Sequence, residues 1–246
     1  MTTVYWSPWY QNSNIYTENY LTHYPMDSVY KDLSEHKETR NVRDNFFNCH
    51  AFKNFCKDLY LLRNPYSIDL EYIPQENRFR SRKEPKGSMM DLSVTTQVKE
   101  PSVKDCLTAN YCVNWIYFAD KPVTIQTMSP FMHNSEIYKT SYYVPGSYDI
   151  SQWFRPFEVA VQMKPNQTTL KSNEKEPLVY AKFISEEPIE FKRFYLTESL
   201  INHSTSCISL KKFKSFKSLP QLYKVFSSTF LKKRILNEIK QNVIEL

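Results

Sequence analysis

The sequence predicts a mainly β fold, an antiparallel sandwich or barrel of about seven or eight strands. Short helices precede it, and an amphipathic C-terminal helix closes it. Three observations carry this expectation. Short segments of two-residue apolar alternation recur between positions 66 and 196, at spacings too short for crossover helices. The chain holds 18 Tyr, 16 Phe and 4 Trp, β-prone side chains with ample surface to bury, which argues against disorder. Only beyond about residue 219 does the apolar pattern settle into a long helical period.

Residues 1–25 are rich in Tyr, Trp and Asn and are interrupted by Pro8 and Pro25, so they read as an extended arm pinned by aromatics. A short helix fits around Tyr30 and Leu33. Cys49, Phe52, Cys56 and Leu59 follow helical spacing, which predicts a short amphipathic helix over 49–59. The period then drops to two. Tyr66, Ile68, Leu70 and Tyr72 alternate with polar residues, and Leu92, Val94, Thr96 and Val98 repeat the pattern. Between them lies a charged connection with Arg78, Arg80, Arg82, Lys83 and Lys86. The run Tyr111 to Phe118 is almost continuously β-prone, as expected of a strand buried on both faces. Further strands are expected at 123–127, 157–163, 178–184 and 189–196. Leu219, Leu222, Tyr223, Phe226, Phe230, Leu236, Ile239 and Val243 then fit one amphipathic helix over about 219–244, with Pro220 tolerated in its first turn.

Charge divides the chain in the same place. Residues 211–246 hold nine basic and two acidic groups, and the preceding 210 hold 23 basic and 24 acidic. The tail therefore carries +7 and the remainder −1, against a net +6 for the whole. We divide the chain accordingly into a β-rich core domain over 1–210, with its aromatic N-terminal arm, and a basic helical segment over 211–246 packed on that core.

Several functional classes are excluded by composition. Glycine occurs only twice, at Gly87 and Gly146, so no Gly-rich phosphate cradle can form. Gly146 is expected to hold a backbone position with φ > 0 that other residues tolerate poorly. The five cysteines, Cys49, Cys56, Cys106, Cys112 and Cys207, are odd in number and include no CxxC, so reduced buried thiols are expected. The five histidines, His23, His36, His50, His133 and His203, are scattered without metal-ligand spacing. No metal or other cofactor is expected. Nor is a membrane partner, because no stretch approaches the roughly 20 apolar residues of a membrane span and the N-terminus lacks signal-peptide character.

From Met128 onward a series of motifs recurs in order: Met128-Ser-Pro-Phe131, Val144-Pro-Gly-Ser-Tyr-Asp-Ile150, Trp153-Phe-Arg-Pro156, Glu176 to Phe183, Phe191-Lys-Arg-Phe194 and Leu236 to Asn242. With the run Cys49 to Pro65 upstream, the chain over about 49–246 resembles an uncharacterised family of proteins encoded by large tailed bacteriophages, many of them marine. The resemblance implies a phage origin, and with it a place in the virion or in the cytoplasm of the infected host. It transfers no catalytic residue.

Two candidate sites follow from the residues. The first comprises Asp149 and Arg155, with Tyr180 on the strand after Glu176. This arrangement resembles, in outline, the β-clip enzymes that process pyrimidine nucleotides: an Asp orients a water or sugar hydroxyl and an Arg clamps a phosphate. It departs from them in lacking a second glycine, whose place is taken by Asn173 to Glu176. The alternative is a tight turn with Asp149 capping backbone amides. The second candidate is the basic tail, with Lys211, Lys212, Lys214, Lys217, Lys232, Lys233 and Arg234 interleaved with aromatics. It suits a nucleic-acid backbone, an acidic protein surface such as another subunit or a second copy, or an ordinary solvated helix face. With no catalytic constellation in view, a non-enzymatic virion component or host-binding module is the leading expectation. A nucleotide-processing enzyme and a nucleic-acid-binding protein are the alternatives.

Overall fold

The computed structural model describes residues 1–8, 27–35, 46–64, 67–82, 106–213 and 217–244. The expected alternation at Leu92 to Val98, the rest of the aromatic arm, Lys83, Lys86 and Lys214 lie outside them. The described chain is mostly β, in three sheets, with six helices. No sheet closes into a barrel among the described residues.

A six-stranded sheet is built from β14 (Val243–Ile244), β13 (Ile189–Phe194), β1 (Thr2–Pro8), β6 (Thr108–Ala119), β10 (Pro156–Met163) and β8 (Ser141–Tyr143), in that spatial order. A five-stranded sheet runs β2 (Asp27–Ser28), β3 (Leu59–Arg63), β12 (Pro177–Ile184), β7 (Thr124–Met128) and β9 (Gly146–Asp149). A smaller sheet places β4 (Ile68–Ile73) between β11 (Thr169–Ser172) and β5 (Arg78–Ser81). The expected strands at 123–127, 157–163, 178–184 and 189–196 correspond to β7, β10, β12 and β13.

The sheets share one large apolar cluster. Val4 and Trp6 of β1, Trp115, Tyr117 and Ala119 of β6, Val159 and Val161 of β10 and Ala181 and Phe183 of β12 all point into it. Because side chains alternate along a strand, the intervening residues face outward, and two layers of helices cover them. Tyr5 of β1 and Ile116 and Phe118 of β6 pack against Leu200, Cys207, Leu222, Phe226, Ile235 and Ile239 of the C-terminal helices. On the far side, Leu59, Leu61 and Tyr180 pack under Val29 of α1 (Val29–Glu35) and Cys56 of α2 (His50–Cys56).

Four expectations need correction. Residues 2–8 are not a peripheral arm but an inner strand, antiparallel to β6 and parallel to β13, so the pairing is not wholly antiparallel. The segment after Thr197 forms a helix, α4 (Glu198–Phe213), which follows the short α3 (Ile137–Thr140). Its inner line of Leu200, Ser204 and Cys207 is too polar to reveal the period, although the Thr197 hydroxyl accepts the Leu200 N–H (3.1 Å) as an N-cap does. The single C-terminal helix divides into α5 (Leu219–Ser228) and α6 (Phe230–Gln241). At the break, Ser228 and Thr229 turn their hydroxyls onto the Val225 and Phe226 carbonyls (3.0 and 2.9 Å), competing with helix continuation. Phe230, expected on the apolar face, is 84% exposed.

The fourth correction concerns Gly146. It is an extended residue of β9, not one with φ > 0; among the described non-glycine residues the left-handed positions are Asp58, Asn77, Asn166 and Lys175. Gly146 donates its N–H to the Thr127 hydroxyl (3.1 Å), and a Cβ added there meets only that hydroxyl at 3.5 Å, an ordinary contact. Gly146→Ala is therefore expected to leave stability unchanged or to raise it by up to about 1 kcal/mol, by restricting the unfolded chain. Urea denaturation checks this: a loss beyond about 1 kcal/mol would contradict an extended, unstrained Gly146.

Candidate functional site

The structure does not gather Asp149, Arg155 and Tyr180. Asp149 ends β9 and pairs with Thr124 of β7, whereas Tyr180 pairs with Met128 at the other end of β7. The Asp149 carboxylate accepts the Ser151 N–H (2.8 Å) on Oδ1 and the Gln152 side-chain amide (2.7 Å) on Oδ2. This is an Asx-type turn that closes the strand end. Arg155, just before β10, lies beside Tyr148 and Tyr223 near the C-terminal helices.

Tyr180 belongs to a different group, which the sequence did not signal. The even-numbered side chain of β12 points under α1 and α2, where the Tyr180 ring is fully buried. Its hydroxyl meets His133 Nδ1, and His133 Nε2 lies 2.7 Å from Asp32 Oδ2. The second Asp32 oxygen takes Arg63 Nη2. Arg63 also donates to the Lys175 carbonyl (3.1 Å) and stands 3.5 Å from Asp27. With a neutral imidazole, the Tyr180 O–H donates to Nδ1 and the Nε2–H donates to Asp32, so each polar atom of the ring has a protein partner. Phe131 covers the tyrosine edge-on at 5.5 Å. Asp32 and His133 are 101 residues apart, and neither sits in a motif, so only the fold brings them together.

The electrostatics of this chain are one-sided. Burial opposes ionisation of Asp32, but the His133 hydrogen bond and the Arg63 charge outweigh it and hold the carboxyl below its ordinary range. Burial pushes the Tyr180 phenol well above its usual range, which keeps it a proton donor and not an activated nucleophile. A chain of this type fastens the loop carrying Phe131 and His133, the helix α1 and the strands β3 and β12. It offers a substrate no free base.

The basic tail is only partly a common surface. Backbone atoms of Lys211 and Lys212 fall in α4, but their side chains lie outside what the structure describes. Lys217 is half-buried. Lys232 is half-buried too and lies in the field of the Asp149 and Asp120 carboxylates, so it is withdrawn from the outward face. Lys233 and Arg234 are exposed, and they share one stripe of α6 with Phe230, Asn237 and Gln241, which lines an open concavity of about 770 Å³. Lys233 Nζ stands 5.9 Å from the centre of the Phe230 ring, a cation–π arrangement on an exposed aromatic. Arg78 and Arg80, expected in a charged loop, instead form strand β5 and both pair with Glu76.

Among the described residues, no group of three or more His, Cys, Asp or Glu side chains is placed to hold a metal ion. No described helix is long and apolar enough to cross a membrane. The chain matches no protein-family model, no curated protein and no solved structure.

Removing the Asp32 charge leaves Arg63 and His133 facing a neutral group, and breaking a buried pair this way costs about 3 kcal/mol. The contribution has a defined pH window. A carboxyl whose folded-state pKa is depressed stabilises the fold above its unfolded pKa, about 4, and loses that effect as pH falls through the folded value. Asp32→Asn is therefore expected to lower stability by about 3 kcal/mol near pH 7, with the gap from wild type closing below about pH 4. Urea titrations of both proteins across that range test this, and a gap unchanged by pH would refute the charged role of Asp32.

Proposed function

We propose that the protein is a phage-encoded, non-enzymatic binding module, built on a sandwich-like scaffold, which docks its C-terminal helices on the acidic surface of another protein. The partner is a virion subunit or a host protein. The observation that carries this reading is the cationic stripe of α6, where an 84% exposed phenylalanine, Phe230, lies beside the exposed Lys233 and Arg234. Exposed aromatics beside arginine are the side chains that most often anchor protein interfaces. The +7 of residues 211–246 supplies long-range attraction to a surface of opposite sign.

Charge placement favours a protein over a nucleic-acid backbone. Lys232 is half-buried, in the field of Asp149 and Asp120, so Lys232, Lys233 and Arg234 do not form one fully exposed track of cations for successive phosphates. Glu238, Asn237 and Gln241 interrupt the stripe further along. Two groups that an enzymatic reading would use are also engaged within the fold: the Asp149 carboxylate in its turn and His133 between Asp32 and Tyr180.

The test uses the full chain and the variant Phe230→Ala/Lys233→Glu/Arg234→Glu, whose three sites are exposed and leave the buried helix face intact. With poly-glutamate peptides containing an aromatic residue as the probe, the variant is expected to lose at least about tenfold in affinity by fluorescence anisotropy, the effect of losing one anchor residue. Single-stranded DNA of matched charge serves as the competing probe. Unchanged peptide affinity in the variant, or tighter and more salt-dependent binding to the DNA, overturns the proposal.

A further inference from the structure

Arg155 occupies a setting that neither the turn at Asp149 nor the α6 stripe explains. It sits where the sheets meet helix α5. Together with Tyr117 of β6, Tyr148 of β9 and Tyr223 of α5 it lines a small cavity walled by Trp153 and Phe157. The cavity measures about 10 Å³, enough for one particle the size of a water molecule. Tyr117 is buried, and Arg155, Tyr148 and Tyr223 are each partly buried.

The chemistry of the lining is lopsided. A guanidinium presents five donors and no acceptor, and each phenol adds one donor beside an oxygen that accepts only weakly compared with a carboxylate. No carboxylate lines the cavity. Among the described residues, Arg155 has no ion-pair partner and the three phenols no hydrogen-bond partner. Burial pushes Tyr117 and Tyr148 well above the ordinary tyrosine range, so both remain O–H donors at any physiological pH. A fixed positive charge partly withdrawn from water is costly unless a counter-charge meets it. Here no anionic group lines the space beside it, and that space admits one small particle.

We infer that Arg155, Tyr117, Tyr148 and Tyr223 form a binding site for a single small inorganic anion of halide size. The anion sits in the guanidinium field and accepts hydrogen bonds from the phenols. It thereby bridges β6 and β9 to α5, so its binding strengthens the attachment of the C-terminal helices to the sheets. The narrow space, about 10 Å³, is far smaller than a nucleotide.

Chloride is the probe. Thermal unfolding of the full chain is measured in sodium chloride and in sodium gluconate at equal ionic strength, with sodium phosphate as a third arm. The expected result is a saturable rise in Tm specific to chloride, lost in Arg155→Met and weakened in Tyr223→Phe. Equal Tm values in chloride and gluconate overturn the inference, as does a chloride effect that persists in Arg155→Met, because that effect is screening. A larger rise in phosphate overturns the halide-sized assignment. If Arg155→Met does not fold, crystals of the wild-type protein soaked in sodium bromide decide the matter. An anomalous peak within the ring of Arg155, Tyr148 and Tyr223 supports the site, and peaks confined to other surfaces refute it.

Discussion

Over its C-terminal half, strand β6 has no solvent face. Trp115, Tyr117 and Ala119 point into the cluster shared by the sheets, Ile116 and Phe118 point into the C-terminal helices, and all five are buried. A strand buried on both sides forces the rest of the architecture. One face requires an opposing sheet, and the other requires a helical cover, because each fully buried large apolar side chain contributes roughly 1.5–3 kcal/mol only while water stays excluded. Strands β1 and β10 flank β6 and extend both surfaces. The C-terminal helices are thus one wall of a core, and their apolar residues Leu222, Phe226, Ile235 and Ile239 are committed to it.

That commitment determines which surfaces remain available. Helix α6 buries one stripe and must expose the opposite one, and there the sequence places Phe230, Lys233 and Arg234. The same logic governs the polar groups. The Asp32–His133–Tyr180 chain and the Asp149 turn have the residue types of reactive sites, but their polar atoms are directed at protein partners that hold the fold together. Arg155 differs from both in lining a small cavity that holds no carboxylate.

How much of this the sequence revealed depended on whether local pattern or long-range contact decided the outcome. Strands β7 and β10 were legible because alternation in Ile125–Thr127 and Phe157–Met163 directly reflects one buried face, and β12 because Leu178–Phe183 is a β-prone run buried on both sides. The two-sided burial of β6 was legible from the almost continuous β-prone run of Tyr111 to Phe118. Strand β1 was hidden by Pro8 and by the aromatic character of its surroundings, although Thr2-Thr-Val-Tyr-Trp6 is itself β-prone. Helix α4 was hidden by Ser204 on its buried face, and the split at Thr229 by an apolar period that continues across it. Of the site residues, Arg155 and the exposed pair Lys233 and Arg234 were singled out from sequence, whereas Asp32, Arg63 and His133 were not. Their association rests on contacts between distant segments, for which a single sequence holds no periodic signal.

With their apolar faces sharing one cluster, the C-terminal helices and the β6 sheet are expected to unfold as one cooperative unit, which presents the α6 stripe as a rigid face. Native-state hydrogen exchange followed by mass spectrometry tests this most directly, since the opening free energy of each segment reports whether it unfolds alone or with the core. Peptides covering Leu222 to Phe226 and Ile235 to Ile239 are expected to exchange with the same opening free energy as the peptide covering Trp115 to Ala119. Exchange of the helical peptides through a separate opening, far less costly than that of β6, would show that the helices detach on their own and would contradict the account.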